Sequence, residues 1–334
     1  MVALAAFLFL WPLVANTALA SSTTTTTPVP QSTPYHPASK RGLSWANGNW
    51  VPLAPFDGPK TSISATYDWA PAPSTNSSFP FVPMLWGCDS AHITAWDAAA
   101  AANFSGARLT PDRALLAFNE PELGIQSNCS PSTAATLWIS HFEPLKAKGY
   151  RLGTPAVTMG PEGKAWLLQW FAECAGGCNP DFLAVHWYDM TFASLTAVLE
   201  GYYAAFNLPI WLTEYALTFF GAGTPPPPAT QDQITEFMRE SMAWLDAQPW
   251  VERYFWFGAM YDMQGVNPLN SLLDPAGNAT RSGALSALGS AYVTPSSPLN
   301  QTLSAAAVHH SGAKMRHTTP AAICIICISW WWYL

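Results

Sequence analysis

A chain of 334 residues with a formal net charge of −7 lacks the basic surface of a nucleic-acid binder, and nothing draws it to an anionic membrane face. Only 10% of its residues are charged, while Trp, Tyr and Phe make up 13%. Such a balance suits neutral, ring-shaped ligands, because aromatic faces stack on the C–H faces of sugars, although most aromatics serve the core.

Residues 1–20 are almost wholly apolar and finish Ala18-Leu19-Ala20 before Ser21, the ending of a secretory signal peptide. Residues 21–40 are rich in Ser, Thr and Pro and lack the apolar surface to pack, so they read as a linker. From Arg41 to Val293 lie about 250 residues, the usual size of one (β/α)8 barrel. Strands are expected at residues 42–45, 65–69, 81–86, 114–118, 150–154, 182–187, 210–213 and 253–257, and helices at 132–147, 163–172, 192–206, 231–247 and 282–291. Lys146-Ala147-Lys148-Gly149 reads as a helix end, with cations in the last turn and Gly just past it. Strand and helix alternating at this period mean a parallel sheet, and eight strands mean closure into a single-domain TIM barrel. The helical signal is weakest between Trp45 and Ala65.

Residues 294–334 form a C-terminal linker and tail. Ser304-Ala305-Ala306, a polar spacer and an apolar end closing on Trp330-Trp331-Trp332-Tyr333-Leu334 follow the pattern of a glycosylphosphatidylinositol anchor signal, which would attach the protein to a membrane by a lipid; a gene-model artefact is the competing reading. Cys174 and Cys178 bracket a flexible Ala-Gly-Gly and can close a small disulfide. Cys88 and Cys129 each follow a strand and could bridge two loops on one barrel face, while Cys324 and Cys327 lie in the tail. In a secreted chain these spacings favour disulfides over a metal site. Sequons at Asn76, Asn103, Asn128, Asn278 and Asn300 fit the same route.

Chemistry in such a barrel sits at the carboxyl ends of strands. Asn119-Glu120-Pro121-Glu122 follows the apolar run 114–118, and Glu214 follows 209–213 in the same way. Two glutamates on two strand ends are what double-displacement hydrolysis of a glycosidic bond requires. Around them, the strand ends supply Trp45, Trp69, Trp86, His186, Tyr188, Tyr215 and Trp256, the indoles, amides and carboxylates of a sugar-binding cleft.

Gly42-Leu43-Ser44-Trp45, Tyr67-Asp68-Trp69, Phe118-Asn119-Glu120-Pro121, His186-Trp187-Tyr188 and Trp211-Leu212-Thr213-Glu214-Tyr215 occur in the order found in one known family. The chain resembles the fungal glycoside hydrolases of family 128, related to the Asl1-type cell-wall proteins, over roughly residues 41–293. That resemblance implies a (β/α)8 fold, cleavage of β-1,3-glucan with retention of configuration, and no metal or organic cofactor. Members cut internally, cut at chain ends, or only bind oligosaccharide; the expectation here is an endo-acting, monomeric enzyme of fungal-type cell wall.

On this reading Glu120 is the acid/base and Glu214 the nucleophile, with carboxyl groups about 5 to 5.5 Å apart. Asn119 is expected to hydrogen-bond the sugar 2-hydroxyl. Tyr188 or Tyr215 could donate to Glu214, as could His186, unless a backbone carbonyl satisfies that ring. Trp256 is expected as the platform beneath the scissile sugar, with Trp45, Trp69, Trp86 and Trp187 as wall candidates. Strand alternation opposes Trp187 to His186, which would turn it toward the helices. Glu122 is expected at the lip of the cleft against a distal sugar. Asp68, Asp89 and Asp189 read as loop hydrogen-bonders, and Pro225 to Pro228 as a stiff spacer ahead of the next helix.

Overall fold

Runs of Val, Ile, Leu and aromatic residues that are apolar on both faces have one stable use, a parallel sheet covered by helices. The computed structural model describes residues 34–46, 51–75, 77–221, 224–278, 280 and 282–295. The signal peptide, most of the linker, nearly all of residues 294–334, Cys324, Cys327, Asn76 and Asn300 therefore lie outside the described residues. Seven strands form among them: β1 (Arg41–Ser44), β2 (Ile63–Tyr67), β3 (Ala114–Leu115), β4 (Arg151–Leu152), β5 (Leu183–Asp189), β6 (Ile210–Leu217) and β7 (Val251–Phe257).

Strands β2-β1-β7-β6-β5 pair in that order and β3 pairs with β4, every pair parallel. Single parallel bridges join the two sheets: Thr66 to Phe81, Met84 to Leu116, and Gly153 to Phe182. Residues 81–84 thus stand between β2 and β3, and eight parallel segments encircle one interior. The result is a TIM-barrel-like α/β fold in which seven of the eight expected strands form and the one expected at 81–86 is a segment held by single bridges.

Helices α1 (Ser90–Ala101), α2 (Pro131–His141), α3 (Glu143–Lys146), α4 (Pro161–Cys174), α5 (Phe192–Phe206), α6 (Gln231–Ala247) and α7 (Ala287–Val293) cover the ring. Their starts are chemically marked. Asp89, Ser130, Thr191 and Ser286 cap α1, α2, α5 and α7, and Thr230 with Gln233 forms a capping box on α6. The expected helix at 132–147 is broken at Phe142, just before Pro144, and Gly149 beyond it takes φ 81°. Among the described residues between β1 and β2 only a 3-10 turn at Ala54–Phe56 forms, matching the weak helical signal there. No described helix is long and apolar enough to cross a membrane.

Period-two alternation divides the core into two layers. Ala65, Tyr67, Trp69, Met84, Phe182, Ala184, Trp211, Phe255 and Phe257 fill the barrel interior. Leu43, Trp45, Val185, Trp187, Leu212, Tyr215, Tyr254 and Trp256 pack between the sheet and the helices. At the amino ends of the strands a charged network plugs the barrel. Arg151 meets Glu252 through both carboxylate oxygens and also Asp112, Arg253 meets Asp112, and Trp211 Nε1 donates to Glu252 Oε2 at 2.8 Å. At the opposite end Cys88–Cys129 ties the loop after residues 81–84 to the loop after Asn119-Glu120, and Cys174–Cys178 closes a four-residue span at the end of α4.

Candidate active site

Asn119 sits just beyond β3, where it bridges Ala156, and Glu120 follows with φ 39° while its amide donates to Ala156 O at 2.7 Å. A non-glycine residue in the left-handed region costs on the order of 1–3 kcal/mol and persists only where neighbours over-determine it, a pattern that clusters at functional sites. Trp69 shares the feature, at φ 59°.

Glu214 reaches the same place from β6 by a local irregularity. Val185 pairs with Leu212, but His186 pairs with Glu214, so Thr213 is an extra residue in the ladder. The bulge turns Trp211 and Glu214 inward and Leu212 and Tyr215 outward, which plain alternation could not do.

One oxygen each from Glu120 and Glu214, with a ring nitrogen of His186, lie within 4.8 Å of one another. Glu214 is gripped from two sides: Trp69 Nε1 donates to Oε1 at 2.8 Å and Tyr188 Oη to Oε2 at 2.7 Å. His186 Nδ1 lies 2.8 Å from Glu120 Oε1 and 3.5 Å from Glu214 Oε2. Burial pushes the Glu120 carboxyl up to about 8. Burial raises Glu214 as well, and the hydrogen bonds from Tyr188 and Trp69 oppose that rise. Burial lowers the His186 imidazole, so the ring stays neutral. Two carboxyls with one histidine are a donor set a divalent cation could use, although the Trp69 and Tyr188 donors already hold one lone pair on each Glu214 oxygen.

Both glutamates open on a cleft of about 330 Å³, lined also by Asn119, Gln126, His186, Tyr188, Phe220 and Phe257. Asn119 Nδ2 donates to Gln126 Oε1 at 3.2 Å, which leaves Asn119 Oδ1 buried without a partner. The structure thus brings together Asn119, Glu120, Trp69, His186, Tyr188 and Glu214.

It does not bring Trp45, Tyr215 or Trp256 to the cleft, correcting three expectations. Trp45 is buried in the outer layer and donates to Val51 O, and Trp256 is buried there too and donates to Asn270 O. Tyr215 packs edge-on to Trp256, 5.0 Å between ring centroids, facing the helices because of the bulge. Trp86 is half-buried, packed against the interior layer and His92, and its backbone oxygen accepts from the Asn119 amide at 2.9 Å. Trp187 faces the helices, stacked on Phe237, as alternation requires. His186 meets Glu120 rather than a backbone carbonyl. Glu122 turns back from the lip, its Oε1 accepting the Thr158 amide at 2.7 Å and so holding the loop that lines the cleft's far wall. Asp89, Asp189 and Asp68 do serve loop and cap hydrogen bonds; burial also lifts Asp68 to about 6. Pro225 to Pro228 are exposed ahead of α6, away from the cleft lining.

The residues missed are Phe219, Phe220, Phe257, Ile125, Met159 and Gln126. Phe257 had a signal: it lies two past Phe255 on the inward side of β7. The loop residues had none, since their approach depends on how β6 and the Cys129 loop end.

A parallel barrel with two buried, adjoining glutamates on its strand ends, opening on a partly aromatic cleft, is the framework of the barrel glycoside hydrolases. Residues 42–292 match the family described as the glycosyl hydrolase catalytic core, and the chain belongs to that family, within glycoside hydrolase family 128. It is 31% identical over 263 residues to alkali-sensitive linkage protein 1 of Schizosaccharomyces pombe, covering 77% of this chain but only 45% of that relative's length. A curdlan-specific exo-β-1,3-glucanase of Blastomyces gilchristii, solved with glucose, is 30% identical with TM-score 0.61, covering 77% of this chain and 98% of its own. An endo-β-1,3-glucanase of Sorangium cellulosum is 30% identical with TM-score 0.60 over the same shares, 77% and 98%. An oligosaccharide-binding protein of Cryptococcus neoformans is 25% identical with TM-score 0.61, covering 78% of this chain and 96% of its own.

Proposed function

We propose that the chain is a secreted, retaining endo-β-1,3-glucanase of fungal-type cell wall, with Glu120 as acid/base and Glu214 as nucleophile. The observation that carries this reading is the asymmetry of the two carboxyls. They approach within 4.8 Å, in keeping with the separation of about 5 to 5.5 Å that retention needs and too close for the water an inverting enzyme must seat between them. Two neutral donors favour the charged form of Glu214 against the burial that raises it, while burial lifts Glu120 to about 8 and keeps it protonated.

In this mechanism Glu120 protonates the departing glycosidic oxygen as a Glu214 oxygen attacks the anomeric carbon. Esterification removes the Glu214 charge, the Glu120 affinity for protons falls, and Glu120 then takes a proton from the incoming water. Asn119 Oδ1, buried and unpaired, is placed to accept from a sugar hydroxyl beside the pair. Phe257 and Phe220 supply the aromatic faces that Trp256 was expected to give. Two disulfides and the exposed sequon residues Asn103, Asn128 and Asn278 support secretion. The solved β-1,3-glucanases at 30% identity support the choice of glucan.

The test is incubation of the secreted protein with laminarin, lichenan, mannan and carboxymethylcellulose, following reducing ends and product lengths, with Glu120→Ala as the blank. Glu120-dependent release from laminarin with mid-length early products is expected; glucose alone from the start would make it exo-acting. Release only from mannan or carboxymethylcellulose would overturn the substrate. No release with laminarioligosaccharide still bound would make it a binding protein. Glu214→Gln should lower turnover by several orders of magnitude and leave binding intact.

A further inference from the structure

The His186 ring is fully buried, and its two nitrogens have unequal company. Nδ1 faces Glu120 Oε1 at 2.8 Å and Glu214 Oε2 at 3.5 Å, whereas Nε2 has no partner and no access to solvent. A neutral imidazole carries one N–H and one lone pair. An orphaned buried N–H is rarer in proteins than an under-satisfied acceptor, so the hydrogen belongs on Nδ1 and the lone pair on Nε2. Among the described residues no donor meets Glu120 Oε2, and Glu120 lines the cleft.

We infer that His186 is a positioning residue that donates its Nδ1–H to Glu120 Oε1 throughout the cycle and thereby confines the acid proton to Oε2, the oxygen that faces the substrate. The inference rests on the proposed role of Glu120. In the resting enzyme Oε1 is an acceptor already filled by the imidazole, and the carboxyl proton on Oε2 points at the glycosidic oxygen. When that proton leaves with the aglycone, the same Nδ1–H stabilises the new carboxylate, which favours transfer. Water then returns a proton to Oε2 as its oxygen attacks the glycosyl-enzyme, and Glu214 leaves as carboxylate. The imidazole changes neither charge nor tautomer, which suits a ring whose Nε2 has no route for a proton.

The bulge at Thr213 belongs to this device. By setting His186 opposite Glu214 in the ladder it puts the ring between the two carboxyls instead of one residue away. Glu214 and Glu122 act on the ring as negative neighbours, and Tyr188 and Tyr67 are the other titratable groups around the pair. Tyr188 is committed to Glu214 and Tyr67 donates to Thr213 O, so neither competes for Glu120.

The first experiment reads the tautomer without turnover. Histidine ¹⁵N resonances of the wild-type protein, with His186 assigned by its loss in His186→Asn, should show a neutral ring protonated at Nδ1. A ring protonated at Nε2, or an imidazolium at the pH optimum, overturns the proposal. The second experiment reads its use. His186→Phe should lower kcat/KM for a laminarioligosaccharide about 100-fold, within the range of acid catalysis, but for a dinitrophenyl β-laminaribioside, whose leaving group needs no proton, only about threefold. The alkaline limb of kcat/KM should move to higher pH, because the Glu120 carboxylate has lost its donor. His186→Asn keeps an N–H near the Nδ1 position and should recover activity to within about fivefold of wild type. Equal losses on both substrates with an unmoved alkaline limb would leave His186 a packing residue only. Full activity of Glu120→Ala would instead sink the acid/base reading, and the tautomer measurement would stand apart from it.

Discussion

Trp69 Nε1 donates to Glu214 Oε1 at 2.8 Å across 145 residues of sequence, from a backbone held at φ 59°. The strained tryptophan therefore stabilises the charged form of the proposed nucleophile rather than offering its face to sugar. Trp69→Phe keeps the bulk and removes the donor. Glu214 already titrates above its ordinary value through burial, and losing this donor raises it further. The acidic limb of kcat/KM should move to higher pH and turnover fall by roughly 10- to 100-fold, as expected for a hydrogen bond to a charged group of about 1.5–3 kcal/mol. An unmoved acidic limb would remove Trp69 from the site's electrostatics.

The Glu120 carboxyl bears on stability in the opposite sense from a salt-bridged acid. Its ordinary value is 4.5 and its folded value about 8, so between those pH values the folded state binds more protons than the unfolded chain. Stability then falls as pH rises through that window and levels off above it. Glu120→Gln removes the fall. At pH 8 the variant should be more stable than wild type by about 1–2 kcal/mol, the usual size of a gain made at an active site. At pH 4, where wild-type Glu120 is protonated in the folded state, the two should coincide. Urea unfolding at both pH values checks this, and an equal gain at pH 4 would contradict the burial account.

The barrel was legible because parallel strands buried on both faces read as continuous apolar runs, which mark the seven strands and the bridged segment at 81–84. Glu120 and Glu214 were legible because a carboxylate directly after such a run has few structural uses. Strand alternation explains two of the differences: Tyr215 faces the helices because it follows the inward Glu214, and Trp256 does so because it follows the inward Phe255. The Thr213 bulge itself carries no sequence mark, since a one-residue register shift is set by pairing with β5 and not by local propensity. The cleft's loop walls depend on chain ends meeting across the barrel, as with the Cys88–Cys129 bridge and the Glu122 contact to Thr158.

The charged plug at the amino ends of the strands lies outside the proposed chemistry, so its disruption should separate stability from activity. Glu252 is fully buried and accepts from both Arg151 and Trp211. Glu252→Gln takes away the carboxylate that meets the Arg151 guanidinium through both oxygens and should destabilise the fold by about 3–5 kcal/mol, as breaking one side of a buried ion pair does. Below the unfolding transition, kcat on laminarin should match wild type. A loss of kcat at temperatures where the variant is fully folded would show that the two ends of the barrel are coupled.

Phe257 and Trp256 are adjacent on β7 but face opposite sides, and the pair makes the correction testable. Phe257 lines the cleft, edge-on to Tyr188 at 5.8 Å and to Trp69 at 6.0 Å between ring centroids. Trp256 is buried in the outer layer against Tyr215 and Phe237. Phe257→Ala removes a ring that is buried yet lines the cleft, so beside a loss of stability it takes a surface away from the site. Its effect on kinetics should be a KM for laminarioligosaccharides raised about 10-fold, the loss of roughly one aromatic contact of 1–1.5 kcal/mol. Trp256→Ala leaves a closed cavity under α6 and should cost about 3–5 kcal/mol of stability while KM in the folded enzyme stays near wild type. Thermal unfolding and initial rates on the two variants decide between the faces. If Trp256→Ala raised KM and Phe257→Ala did not, the tryptophan would be the platform after all, and β7 would have to be rotated by one residue against its neighbours.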